Sequence, residues 1–201
     1  MWAVNSLREL PDGRLLISAL DVATRKTLHV MSRAGTPVLS FGDVAIPPDV
    51  AQYATSLLGG RALVLDSSIV LSHKSPFRID VYDLRGQLLR RCEGRAHATT
   101  EPRAAISRDG ASVSLQWKKF VHSTGFLRGP TAGEVWNVIT DQTSGRTTVQ
   151  AVDIHRCAML RERSLPVPLF LNNASADEVV GVLESDFPEV IVHRSAGRAR
   201  R

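Results

Sequence analysis

Cysteine is scarce: Cys92 and Cys157 are the only two in 201 residues. That excludes the disulfide-dense scaffold on which small secreted domains depend. Aromatic residues make up 5% of the chain. One segment, Trp117-Lys118-Lys119-Phe120, interleaves aromatic and basic side chains as single-strand binders do. Standing alone, it reads better as a core strand with two solvated lysines. No stretch approaches 18 consecutive apolar residues, so no helical membrane span is written into the chain. The opening Met1 to Leu10 lacks a basic region followed by an apolar run, so no signal peptide is visible. Read as written, the chain is cytoplasmic. A signal sequence upstream of Met1 would make it periplasmic or extracellular.

A true surplus of positive charge is also lacking. The formal charge is +5 and the pI about 9.8. The last eight residues, 194–201, carry four arginines and no acid, so the remaining body has a charge of only +1. That argues against nucleic acid as a partner of the body. Residues 194–201 read as a solvated basic tail, with a polyanion anchor as the alternative. Catalytic signatures are missing as well. There is no Ser–His–Asp order, no glycine-rich phosphate loop and no histidine spacing that would make a local metal site. No cofactor is implied. A metal site gathered from His73, His122 and distant aspartates has no local spacing to support it.

Helical periodicity is weak throughout. The one moderate candidate is Pro48 to Leu58. What is present instead are runs of four to eight residues rich in Val, Ile and Leu, separated by turn residues. The turns recur in a fixed order. Pro11-Asp12-Gly13, Asp66-Ser67-Ser68, Arg128 to Gly133 and Asn172 to Asp177 each precede a strand. A second loop and a third strand follow, and then the most regular turn: Ser32 to Gly35, Asp83 to Gly86, Asp153 to Arg156 and Arg194 to Gly197. A fourth strand follows three of these, over Thr36 to Phe41, Gln87 to Cys92 and Cys157 to Arg163.

The unit is therefore a four-stranded antiparallel meander, repeated about four times at roughly 50 residues each, as in β-propeller blades. A lone meander exposes two edges and buries one face poorly. Stacking meanders face to face buries both faces, which explains continuously apolar strands such as Ala62 to Leu65 and Val179 to Leu183. A β-sandwich is the competing all-β arrangement, and the repeated turn order favours the propeller. The expected organisation is a single propeller domain over 1–193, with blades near 2–42, 53–93, 112–164 and 166–197.

The segment from Ile69 to Arg91, which reads IVLSHKSPFRIDVYDLRGQLLR over 69–90, carries a family resemblance. Its apolar strand, loop ending in Arg78, Ile79-Asp80-Val81-Tyr82-Asp83 and Arg85-Gly86 turn resemble a blade of six-bladed, NHL-like bacterial β-propellers. Thr27 to Phe41 and Thr147 to Arg163 resemble it more weakly. The resemblance implies a fold and carries no catalytic residue. Six blades would need on the order of 270 residues. The expectation is accordingly an incomplete, open member that begins too late, with its fourth blade short of an outer strand. Such an open arc is expected to associate with copies of itself. A genuine four-bladed form is the alternative.

In this blade order the loops joining second and third strands share one rim. They contribute the candidate ligand-binding residues Asp21, Lys74, Arg78, Asp141, Arg146 and Asp186. A simpler reading stays open, in which the aspartates cap turns and the basic residues solvate strand ends. The long connections Gly42 to Gln52 and Gly94 to Ala111 fall on the same rim. The two cysteines belong to outer strands but to opposite ends of them, which places them at opposite rims as free or buried thiols. The functional expectation is a non-catalytic binding or scaffold module for a protein, peptide or glycan. The alternative is a lactonase-like, metal-dependent hydrolase with a site at the channel mouth, for which Asn5, Asn137 and Asp186 are nominees.

Overall fold

A computed structural model describes residues 4–46, 58–73, 78–93, 103–106, 113–116, 121–141, 143–165, 169–174, 178–183 and 189–194. Every regular element among the described residues is a strand. The first sheet holds β1 (Val4–Glu9), β2 (Leu15–Asp21), β3 (Lys26–Met31) and β4 (Pro37–Asp43). The second holds β5 (Gly60–Val64), β6 (Ser68–His73), β7 (Arg78–Asp83) and β8 (Leu88–Glu93). A two-stranded hairpin, β9 (Arg103–Ile106) with β10 (Val113–Gln116), comes next. The third sheet holds β11 (Val121–Arg128), β12 (Glu134–Asp141), β13 (Arg146–Asp153) and β14 (Ala158–Leu165). The last, three-stranded among the described residues, holds β15 (Leu169–Ala174), β16 (Glu178–Leu183) and β17 (Glu189–Arg194).

Within each sheet the strands lie in chain order, and every pairing is antiparallel. Each sheet is thus a meander of strands consecutive in the chain, whereas a sandwich would mix distant strands into two sheets. Neighbouring sheets touch through their first strands, with β1 against β5, β5 against β11 and β11 against β15. They also stack face to face. Leu16, Leu28, Val30 and Phe41 of the first sheet pack on Ala62, Ile69, Leu71 and Tyr82 of the second. Val70, Ile79, Val81 and Cys92 of the second pack on Phe126, Val135 and Val152 of the third. This is a β-propeller-like array of blades. The strand β7, although three of its six residues are charged, is packed on both sides. Its Tyr82 and Asp80 face the first blade while Ile79 and Val81 face the third, so both faces are buried.

The structure corrects two expectations. The connection Gly94 to Ala111 is not simply a polar loop, because its Arg103–Ile106 pairs with Val113–Gln116 as a hairpin. More importantly, Cys92 and Cys157 are not separate thiols: they form a disulfide with a Cα–Cα distance of 4.9 Å. Placing them at opposite rims assumed that equivalent strands of adjacent blades lie level. Strand twist accumulates at roughly 20–25° per strand, so an outer strand runs well oblique to the inner one. The middle and end of β8 therefore meet the β13–β14 turn of the next blade. Arg90 marks the same crossing by donating to the carbonyls of Ile154 (2.9 Å) and His155. The helix candidate at Pro48 to Leu58, apart from its last residue, and the Trp117 to Phe120 segment lie outside the described residues.

Candidate functional site

The strand registers bring one end of every β2–β3-type loop to a common rim. Asp21 pairs with Lys26, Ser72 with Ile79, Asp141 with Arg146 and Leu183 with Glu189. Asp21, Arg78, Asp141 and Arg146 belong to this rim, while Lys74 and Asp186 lie outside the described residues.

The four described candidates do different things. Asp21 accepts from the Thr24 hydroxyl at 2.8 Å and from the Ala23 backbone N–H at 3.0 Å. Those bonds, the Thr24 hydroxyl first, hold its carboxyl below the usual range. Asp141 makes the same kind of cap, accepting from the backbone N–H groups of Thr143 (2.9 Å) and Ser144 (3.4 Å). Arg78 points partly inward, donating to Asp80 at 3.2 Å and to the backbone carbonyl of Asp43 in the first blade at 3.0 Å. Arg146 alone of the four holds its guanidinium out to solvent.

Arg146 stands at the mouth of a groove of about 150 Å³ on the face of the third blade that looks toward the second. Its floor is apolar, built from buried Val121 and Ile139. Asp141, Ser144, Thr148 and Ser164 form its walls with Arg146. The register explains the grouping. Val121 opposes Asp141, Asp141 opposes Arg146, Ile139 opposes Thr148 and Thr148 opposes Ser164, so all project from one face. The Asp141 carboxylate in the wall is engaged by the N–H groups of its own turn. An apolar floor beside a guanidinium, three hydroxyls and this engaged carboxylate suits a ligand that presents an apolar group next to an acceptor or carboxylate directed at Arg146. The sequence pointed to Asp141 and Arg146 but not to Ser144, Thr148, Ser164 or the floor. Strand alternation was the signal for them, once the register between β13 and β14 was known.

A second polar cluster lies beneath the rim, between the first two blades. Asp80 is fully buried and accepts from His73 Nε2 (2.9 Å), Arg91 Nε (2.9 Å), Arg78 Nε (3.2 Å) and the Tyr82 hydroxyl (3.2 Å). Burial alone would push the Asp80 carboxyl up. The His73 and Arg91 hydrogen bonds and the nearby positive charge outweigh it and hold the carboxyl far below its ordinary value. Burial, which Asp80 only partly offsets, lowers the His73 pKa, so His73 serves as a neutral N–H donor and the two arginines balance the charge. Tyr82 is pushed up by burial first and then by Asp80, and keeps its proton. His73 is thereby committed to Asp80, not to a metal.

Asn137, a nominee for a hydrolase site, is also committed. Its Oδ1 accepts from the hydroxyls of Ser123 (2.7 Å) and Ser72 (3.1 Å), which ties the second blade to the third in a fully buried setting. Asn5 lies on β1, with its amide nitrogen buried. Among the described residues, no group of three or more His, Cys, Asp or Glu side chains is placed to hold a metal ion.

The chain is similar to several solved structures. One is hydrazine synthase of Kuenenia stuttgartiensis, at 14% identity over 95% of this chain and 54% of that one, with a TM-score of 0.46. Another is the Dos1 propeller, at 9% identity over 98% and 49%, with a TM-score of 0.49. A third is BamB of Moraxella catarrhalis, at 13% identity over 92% and 57%, with a TM-score of 0.44. The chain spans about half the length of these structures. No family profile matches it, and no curated protein does.

Proposed function

We propose that this chain is a non-catalytic binding module that takes a peptide segment of a partner protein at the rim of its third blade. The observation that carries the reading is the groove over Val121 and Ile139 with Arg146 at its mouth. Its apolar floor holds one aliphatic side chain, and the adjoining guanidinium donates charge-assisted hydrogen bonds to a carboxylate. Asp141 keeps the β12–β13 turn in shape and thereby sets where Arg146 leaves the sheet. A rigid sheet carrying a loop-borne polar site is how scaffold folds commonly present binding residues.

Panning a random peptide library on the immobilised protein tests this. The expected result is enrichment of peptides pairing an acidic with an aliphatic side chain, and a loss of affinity of at least about 10-fold in Arg146→Glu. Equal affinity in the variant overturns the assignment, as does retention of glycans with no peptide enriched. The likeness of Ile69 to Arg91 to NHL-like blades supports six blades for a complete ring. Counting blades in electron micrographs of the ring viewed down its axis tests that number.

A further inference from the structure

We infer that Cys92–Cys157 is a native cross-link installed by thiol oxidation, and that the chain consequently matures in an oxidising compartment. The first ground is placement. The bridge joins two different blades, with a sequence separation of 65 and a Cα–Cα distance of 4.9 Å, inside the range that disulfides adopt. Cys92 is buried in the apolar joint, and Cys157 packs against the same cluster. Arg90, two residues before Cys92, grips the carbonyls of Ile154 and His155 just before Cys157, so the two segments meet at fixed spacing.

The second ground is a broken local rule. The turns between third and fourth strands of the first two blades place glycine in the left-handed region, Gly35 at φ 82° and Gly86 at φ 83°. The corresponding turn of the third blade is one residue longer and has no glycine, and its last residue, Cys157, takes the left-handed conformation at φ 52°. A residue with a β-carbon is disfavoured there, and cysteine has no side-chain hydrogen bond that would favour it. A local preference set aside at one repeat of an otherwise regular turn marks a position held for another reason. Reaching Cys92 in the neighbouring blade is that reason.

Formation balances as two thiols losing two protons and two electrons. The acceptor is a thiol–disulfide oxidoreductase in its disulfide form, which leaves as the dithiol. Cys157, the less buried of the two, is suited to forming the mixed disulfide, and the Cys92 thiolate then displaces the oxidoreductase thiol. The test is the full chain produced once in an oxidising and once in a reducing compartment, each compared with Cys157→Gly. Protein from the oxidising compartment is expected to have no thiol that alkylates under denaturing conditions, and protein from the reducing one to have two. Cys157→Gly is expected to lower the folded-to-unfolded ratio on the order of 100-fold against the oxidised protein. The same substitution is expected to raise that ratio against the reduced protein, because glycine relieves the left-handed turn. Two free thiols after oxidising production overturn the inference, and so does a Cys157→Gly effect of the same sign in both backgrounds.

Discussion

The first two blade joints are built from similar apolar surfaces but fastened by different chemistry. Between the first and second blades, the polar links are Arg78 donating to the Asp43 carbonyl, Ser18 donating to the Gly60 carbonyl and the Ala62 N–H donating to the Ser6 hydroxyl. The buried Asp80 carboxylate, with its four donors all in the second blade, holds Arg78 and Tyr82 in place at this joint. Phe41 of β4 meets the ring of Tyr82 edge-on beside it, at a centroid distance of 5.1 Å. Between the second and third blades, the fastening is a disulfide, the Arg90 clamp and the Ser72–Asn137–Ser123 bridge. A repeat fold can thus keep one architecture while each joint answers to a different solution variable. The first joint responds to protons and the second to reductant.

The sharpest way to break the first joint is Asp80→Ala. It leaves His73, Tyr82 and the inward arms of Arg78 and Arg91 with no shared acceptor. A loss of about 3–5 kcal/mol is expected in urea titration. Arg91 is partly exposed and can rehydrate, which favours the lower end of that range. The joint between the second and third blades keeps its disulfide in this variant.

Acid is the milder probe of the same contrast. The His73 pKa is lowered in the fold from its ordinary 6.5, and that of Asp80 from 3.8. For both groups the unfolded chain binds more protons than the folded chain as pH falls, so stability declines on acidification. The His73 contribution is complete above about pH 6.5 and fades below it, and that of Asp80 fades below about pH 4. Midpoints of urea unfolding measured from pH 8 to 3 should fall in those two steps. In His73→Gln the first step should shrink.

Much of this architecture was legible from the residues. The turns Ser32 to Gly35 and Asp83 to Gly86 fix hairpins by local chemistry: Gly35 and Gly86 close them, and Asp83 accepts from the backbone N–H groups of Arg85 and Gln87. Such contacts span three or four residues and can be read directly. The pairings of Asp21 with Lys26 and of Asp141 with Arg146 were legible for the same reason, since a register set by a short turn brings its flanking residues together. The groove was less so, because Ser164 and Thr148 become neighbours of Arg146 only through the pairing of β13 with β14. The disulfide and the Asp80 hub were hidden. One depends on how far a twisted outer strand overlaps the next blade, the other on Arg91 of β8 and His73 of β6 both reaching an aspartate on the strand between them. The absent glycine in the third-blade turn was the visible clue to the cysteine pairing.

Hydrogen exchange resolved by peptide tests the contrast between joints most directly. The oxidised protein would be followed at pH 7, after reduction at pH 7, and at pH 5 without reductant. Reduction is predicted to raise exchange in residues 153–158 and to leave 37–43 protected. Lowering the pH is predicted to do the opposite, loosening 37–43 while 153–158 stays slow. Loss of protection by the same factor in both segments under either treatment would contradict the account.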